Sequence, residues 1–563
     1  MDDVDGMNLA TVWEAVAATV PDAPALIHGP HVTTWREFED RAARLAAHLH
    51  TWGVGEGTKV ALYMRNQPEY LEASFAAFKV RASTVNVNYR YLGPELAYLL
   101  DNSDAEAVVF HVEFADRLDE VRADLSMLAT FVCVGSDALH PCPEWATALE
   151  DVLANNEPMP PIERSGDDLW LLYTGGTTGM PKGVMWPHRS LLGSSGATFA
   201  AIKAPVPANV DEVSATVRAF HDRGKAIRIL PAAPLMHGTS ALTSMAVLSA
   251  GGSVVTLTSP SFDADELCAA VQEHAVSQLT IVGDAFARPI LDAMSAADAA
   301  GEPYDLTSLR VILSSGVMWS QQSKDELHRW CTASLADALG SSEGIGFASS
   351  VARPGQSAST AKFALGEHAK VIDDDGRDVV AGSGQRGLLA VGGPIPIGYY
   401  NDPEKTAATF RIIGGRVWSV PGDFATVEAD GTIRLLGRGS ACINTAGEKV
   451  YPEEVEETLK LHPAVIDANV VGIADDKWGQ AVVAVVSLDP AAAQVEKAAQ
   501  IDPAQVDEAA LIAHTKSHLA SYKCPKHVVV VDEVHRGPNG KADYRWAVQV
   551  VGSALSPVVG RTD

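Results

Sequence analysis

Two stretches of this chain combine residue types that handle phosphate chemistry. The first, residues 173–183, reads YTGGTTGMPKG. Thr174, Thr177 and Thr178 supply hydroxyls, while Gly175, Gly176 and Gly179 leave backbone amides uncovered and able to adopt positive φ. Consecutive exposed amides form a concave nest for an anion, most often a phosphate. Lys182 adds a point charge that can reach the outer phosphates of a nucleotide. The common P-loop would place Lys directly after Gly and a hydroxyl next; here Pro181 precedes Lys182 and Gly183 follows it. A Gly/Thr cluster alone could be a flexible surface loop, but the ordered Thr-Gly-Gly-Thr-Thr-Gly-x-Pro-Lys-Gly string favours a phosphate site. The second stretch is Arg536-Gly537-Pro538-Asn539-Gly540-Lys541, with Arg545 following. Pro-Asn-Gly sets a tight turn that projects Lys541 outward. A lone Gly-Lys carries no information. Paired with the distant anion loop, it suggests a movable cation that completes a phosphate site from another domain.

The elements that must position these residues alternate in type. The apolar run Leu169-Trp170-Leu171-Leu172 reads as a buried strand feeding the glycine loop. Upstream, residues 8–53 read as a helical start, with Phe38, Ala42, Leu45, Ala46 and Leu49 at helical spacing and Gly53 as the stop. Strand-like runs at 60–64, 107–110 and 131–134 flank a helix opened by Pro68. Residues 203–226 show little apolar periodicity and read as a surface excursion. Further strand and helix rounds follow at 227–230, 254–257, 263–274, 279–284 and 310–313, which argues for α/β layers. Past residue 360 the texture changes to Asp-Gly hairpin turns at 371–376 and 428–433. The triple Asp at 373–375 lacks the ligand spacing and terminal Glu of a calcium loop. From Gly437 onward a smaller α+β unit is expected: helices at 452–461 and 509–519, and strands at 468–471, 481–486 and 527–531.

Composition narrows the class. A chain of 563 residues exceeds one ordinary core. Its 47% hydrophobic and 20% charged residues mark a globular protein. The net charge of −28 argues against a general partner in nucleic acid or an anionic membrane, both of which it would repel. The acidic start lacks the pattern of a signal peptide, and no apolar run approaches a membrane span. The six cysteines are scattered and form no CxxC pair, so no disulfide or zinc framework is expected. These features predict a cytoplasmic enzyme without integral membrane association, with a homodimer as the default assembly.

Taken together and in order, the motifs resemble those of the adenylate-forming superfamily, which holds acyl-CoA synthetases, luciferases and peptide-synthetase adenylation domains. The likeness spans nearly the whole chain. Residues 174–183 resemble its phosphate loop, Gly340-Ser341-Ser342-Glu343 its Tyr-Gly-x-Thr-Glu element, and Pro421-Gly422-Asp423 its Thr-Gly-Asp. The stretch from Gly437-Arg438 through Gly447-Glu448-Lys449-Val450-Tyr451-Pro452 is similar to the crossover into the small domain. Lys541 sits where the adenylation lysine belongs. The resemblance implies an α/β fold: a large N-terminal adenylate-forming domain of layered sheets and helices over 1–437, and a small mobile α+β domain over 438–563.

It also implies roles. Thr174, Gly175, Gly176, Thr177, Thr178, Gly179 and Lys182 would hold the phosphates of ATP. Glu343 and Thr177 would hold Mg²⁺. Ser315, Gly316, Leu339, Gly340, Ser341 and Ser342 would line the rest of the nucleotide, Asp423 would accept from the ribose hydroxyls, and Arg438 would donate to them. Lys541 would neutralise charge as a carboxylate attacks the α-phosphorus. Coenzyme A would then attack the acyl-adenylate after the small domain rotates about Ser440, bringing the Gly447 and Lys449 face inward. His237 would line the acyl channel, together with Gly283 to Phe286, Ser314 to Val317 and Leu339-Gly340. Taken singly, Asp423 is as readily a turn cap, Arg438 a surface ion pair, Glu343 a helix-start acid and His237 a core histidine; their order in the pattern is what argues otherwise.

Departures from the family pattern are informative. The residue that commonly stacks on adenine is Leu339 here, and the acidic hinge pair is Ser440-Ala441. The closest likeness is to an actinobacterial-type branch acting on sterol side-chain and other bulky alkanoic acids. The small-molecule partners are then a carboxylic acid, ATP and CoA. Rival expectations are an aryl-alkanoate CoA ligase, an adenylating enzyme that loads a carrier protein, and a catalytically dead homologue.

Overall fold

The computed structural model describes residues 7–176, 179–316, 319–355, 362–438, 443–445, 448–475, 479–489, 508–519, 521–537 and 540–555. Thr177, Thr178, Val317, Ser440, Ala441, Gly447, Pro538 and Asn539, named above, lie outside them, as does one of the six cysteines, Cys442. Arg438 and Lys449 are described through their backbone alone. The chain forms two compact units: Met1–Ser315, Ser323–Ala358 and Val391–Val420 make the first, while Gly316–Gln322, Ser359–Ala390 and Pro421–Asp563 make the second.

The first unit contains two sheets. In one, the strands run His31–Thr34, Pro24–His28, Ser253–Thr256, Arg228–Pro231, Gln278–Ile281, Val311–Ser315, Ser334–Ser341, Gly344–Ala352. All neighbours are parallel except the antiparallel pairs at the two ends of this order. In the other, the order is Gly398–Tyr399, Gly179–Pro187, Leu169–Gly176, Ser83–Asn86, Lys59–Tyr63, Ala107–His111, Thr130–Val134, Thr147–Ala148. It is parallel from Leu169–Gly176 onward. Parallel sheets are covered on both faces, which is why their strands read as unbroken apolar runs rather than alternating ones. The carboxyl edge of such a sheet is where ligands bind.

The helical start differs from expectation. Two strands, Pro24–His28 and His31–Thr34, separate the helices Leu9–Thr19 and Trp35–Thr51. The second helix opens on a capping box: Glu37 N donates to Thr34 Oγ1 at 3.3 Å and Thr34 N to Glu37 Oε2 at 2.8 Å. Its buried face includes the expected Phe38, Ala42, Leu45, Ala46 and Leu49. The segment 203–226 is not a bare excursion. It carries the helix Val210–Asp222, N-capped by Asn209, which buries Val213, Val217 and Phe220 against Leu9–Thr19. Three apolar residues at i, i+4 and i+7 suffice for a narrow stripe, and the charged remainder of the helix hides the period.

The second unit pairs Lys362–Leu365, Ile433–Arg438, Asp423–Val427 and the 386–388 part of the strand Arg386–Val391 in antiparallel order. The Asp-Gly turns appear as expected: Gly376 N donates to Asp373 O, Gly431 N to Glu428 O, and both glycines have positive φ. A separate five-stranded sheet is built on Val465–Asp475 and Gly479–Leu488, with His527–Val531 parallel to the latter. Successive side chains of a strand face opposite ways. Accordingly Val482, Ala484 and Val486 pack with Val455, Leu459 and Leu511 of the helices Pro452–Lys460 and Glu508–His518. Val483 and Val485 pack with Ala547 and Val551 of the helix Tyr544–Leu555. The described cysteines are all free. No helix among the described residues is long and apolar enough to cross a membrane.

Candidate active site

The glycine loop is the tip of a hairpin. Leu169–Gly176 pairs antiparallel with Gly179–Pro187, so Thr174 lies opposite Lys182 and Gly176 opposite Gly179. Gly183 is required for packing: a Cβ there would sit 2.5 Å from the Tyr173 ring. A buried side chain that sequence reasoning missed locks the hairpin base. Asn86 Oδ1 accepts from Tyr173 N at 2.6 Å, while its Nδ2 donates to Tyr173 O at 2.8 Å and to Met236 O at 2.7 Å. Asn86 thereby ties the glycine hairpin to the loop ahead of His237. Asn66 braces the same loop, accepting from Leu235 N at 2.6 Å and donating to Ala233 O at 3.0 Å. His237 is half-buried and precedes the helix Gly238–Ser249.

The second cluster lies at the carboxyl ends of two neighbouring parallel strands. Val311–Ser315 and Ser334–Ser341 run in register, with Ser315 opposite Ala338. Gly316 follows with φ +97°, in the left-handed region that favours glycine. Gly283 N donates to Ser314 Oγ at 2.9 Å, joining the 283–286 segment to this edge. Leu339, Gly340 and Ser341 complete the strand and turn back through Ser342 and Glu343 into Gly344–Ala352. A Cβ on Gly340 would lie 3.6 Å from Gly344 O and 3.9 Å from Ser315 Oγ, so the space beside it is small but open. Glu343 N donates to Ser341 Oγ at 3.2 Å, and the buried Trp186 indole donates to Ser342 O at 2.9 Å. Trp186 belongs to the glycine hairpin, so the two clusters are directly joined.

A third segment, 398–402, touches both. Gly398–Tyr399 pairs with the glycine hairpin, Tyr399 lying opposite Val184. Tyr399 Oη donates to Glu343 Oε1 at 2.7 Å. Three residues on, Asp402 pairs with Lys182 while capping the helix Pro403–Thr409 through Lys405 N at 2.9 Å. The bond from Lys182 holds the Asp402 carboxyl below the usual carboxylate range, helped by the Lys405 amide. Asp-Pro at a helix start is readable from sequence; that its carboxylate also meets Lys182 is not.

In the second unit, Asp423 lies directly opposite Arg438 on adjacent antiparallel strands. Two residues proposed for the same sugar are thus neighbours. Arg438 follows Gly437, whose φ is +100° and whose Cβ position is taken by Glu453. Lys541 is exposed on a turn closed by Gly537 N to Lys541 O at 2.8 Å and Gly540 N to Gly537 O at 2.9 Å. Arg536 anchors that turn, pairing through two 2.5 Å bonds with Asp467 and donating to Gly540 O at 3.2 Å.

The donor set fits Mg²⁺. This ion usually takes one or two carboxylates and completes its shell with water and substrate phosphates. Glu343 offers one hard carboxylate, met by the Tyr399 phenol. Among the described residues no group of three His, Cys, Asp or Glu side chains could enclose a metal by itself. Size alone does not locate the site. A cleft of about 810 Å³ in the first unit is lined by His28, Arg36, Arg41, Glu72 and His111 among others, and by none of the candidate residues.

Comparison with known proteins agrees with this layout. Residues 13–400 match the AMP-binding enzyme family, and residues 454–541 match the AMP-binding enzyme C-terminal domain. A medium/long-chain-fatty-acid–CoA/3-oxocholest-4-en-26-oate–CoA ligase of Mycolicibacterium smegmatis is 40% identical over 97% of this chain and 96% of its own. A 3-oxocholest-4-en-26-oate–CoA ligase of Rhodococcus rhodochrous is 40% identical over 97% of this chain and 96% of its own. The crystal structure of an anthranilate CoA ligase with anthranoyl-AMP superimposes with a TM-score of 0.80 at 21% identity, covering 98% of this chain and 99% of the other, a likeness of fold. With both family regions matched in chain order and relatives of equal extent, the chain belongs to the AMP-binding enzyme family.

Proposed function

We propose that the protein is an ATP-dependent acid–CoA ligase acting on medium-to-long fatty acids and on bulky acids such as a steroid side-chain carboxylate. The observation that carries the reading is the tie of Lys182 and Glu343 to one corner, residues 398–402, beside the glycine hairpin. Catalysis of phosphoryl and nucleotidyl transfer is mostly positioning and charge neutralisation. A carboxylate oxygen attacks the α-phosphorus, the new P–O bond forms, and the bond to pyrophosphate breaks. The hairpin amides and Lys182 bind the outer phosphates. Glu343 would hold Mg²⁺, which when bound neutralises phosphate charge. Asp423 and Arg438 orient the ribose, and Lys541 neutralises charge between carboxylate and α-phosphate. In the second half, the CoA sulfur attacks the acyl carbon and AMP departs. Residues 438–563 are read as the mobile domain that brings first Lys541 and then the Lys449 face to the site; the two-faced core of the C-terminal sheet supports their moving as a body. A bulky acid is supported by the activities for which the 40%-identical relatives are named and by the absence of side chains at Gly316 and Gly340.

The test is CoA-dependent release of AMP and pyrophosphate across acetate, octanoate, palmitate, aryl-propanoates and sterol side-chain acids. Turnover that requires CoA and peaks on octanoate, palmitate or sterol acids is expected. A peak on aryl-propanoates or acetate would move the substrate class. Pyrophosphate exchange without an acyl-CoA product would move the acceptor to a carrier protein.

A further inference from the structure

We propose that Asp402 is a displaceable counter-ion for Lys182: it holds the lysine beside the glycine hairpin when the phosphate site is empty, yields it to the outer phosphates of ATP, and takes it back as pyrophosphate leaves. The inference rests on the reading of Lys182 as a phosphate ligand and adds a positioning residue to that site.

Three features carry it. Lys182 and Asp402 are far apart in sequence yet form a direct ion pair in the first unit. The pair is open, the Lys182 side chain being 42% exposed and Asp402 25%, so a ligand can reach the ammonium without unfolding anything. Asp402 does not move with the lysine. Its other oxygen accepts from Lys405 N, and its neighbours are fixed by strand pairing of Tyr399 with Val184 and by a bond from Tyr400 N to Gly183 O at 2.8 Å. A half-exposed pair of this kind is worth a factor of about five at most. One carboxylate therefore keeps a flexible four-carbon side chain in place, but it cannot compete with the several charges of a triphosphate. Lysine is suited to the exchange because its ammonium is a point charge with rotatable donors rather than a fixed fork.

Asp402→Asn tests this, because asparagine caps helices as well as aspartate does and removes only the charge. Binding of ATP, pyrophosphate and AMP is measured by calorimetry on the full-length protein. With the competing carboxylate gone, ATP and pyrophosphate are expected to bind about three- to fivefold more tightly. AMP, which lacks outer phosphates, should be unchanged. Asp402→Ser, another capping residue, should behave alike, and in a Lys182→Gln background the gain should vanish. A merely structural Asp402 would alter AMP and ATP together, which would overturn the proposal, as would ATP binding that is unchanged or weaker in Asp402→Asn. The two levels separate cleanly. If Lys182→Gln alone leaves ATP affinity intact, the phosphate-site reading fails. If it weakens ATP while Asp402→Asn tightens nothing, only the counter-ion fails.

Discussion

At the scale of single residues, the chemistry depends on side chains that hold others still. Glu343 meets Tyr399 Oη at 2.7 Å, and a hydrogen bond to a charged group is worth about 1.5–3 kcal/mol. Tyr399→Phe keeps the ring and removes that donor. We expect the KM for MgATP to rise roughly tenfold with a smaller change in the KM for the acid, as steady-state kinetics would read. Equal effects on both substrates would mean that Tyr399 only packs. Asn86 makes three buried bonds, two to the hairpin strand at Tyr173 and one to the loop at Met236, and none of that is visible in the sequence, where it ends an ordinary strand. The reactive types in the glycine loop were legible because phosphate chemistry demands amides, hydroxyls and a cation in close order. Asn86, Asn66, Tyr399 and Asp402 were not, because a brace is defined by what it reaches across tens or hundreds of residues.

At the scale of elements, the helix Pro452–Lys460 shows how burial and charge compete. Glu456 is buried, with Oε1 accepting from Val470 N at 2.9 Å. Burial, with Glu453 adding repulsion, pushes its carboxyl up to about 8 from an ordinary 4.5. A folded-state value above the unfolded one means that the folded form keeps a proton the unfolded form has lost. The contribution to stability is therefore fully present below about 4.5 and disappears as pH rises through about 8. Glu456→Gln should flatten this dependence. Urea midpoints of the C-terminal unit should match wild type at pH 4.5 and exceed it at pH 8.5; a constant offset at both would sink the assignment. The strands and most helices were readable from apolar runs and caps. Val210–Asp222 was not, since its three-residue stripe gains meaning only from the partner helix it covers.

At the scale of the whole molecule, Lys541 lies on a turn anchored by Arg536 and Asp467 and far in sequence from the glycine hairpin. Lys541→Ala should lower acyl-adenylate formation by at least about a hundredfold, the size of one lost charge-stabilising group, while ATP still binds. Adenylation at the wild-type rate would show that the lysine is misassigned. The sequence by itself determined the layered α/β class, the order of the chemical motifs and the change of texture past residue 360. These follow from local rules: period, turn residues and the residue types that phosphate requires. Only the tertiary structure decided that Lys182 is met by Asp402, that Glu343 is met by Tyr399 and that Asp423 lies opposite Arg438. Those pairings arise from strand register and from packing between segments 15 to 220 residues apart, and no local pattern in the chain encodes which partner a side chain will face.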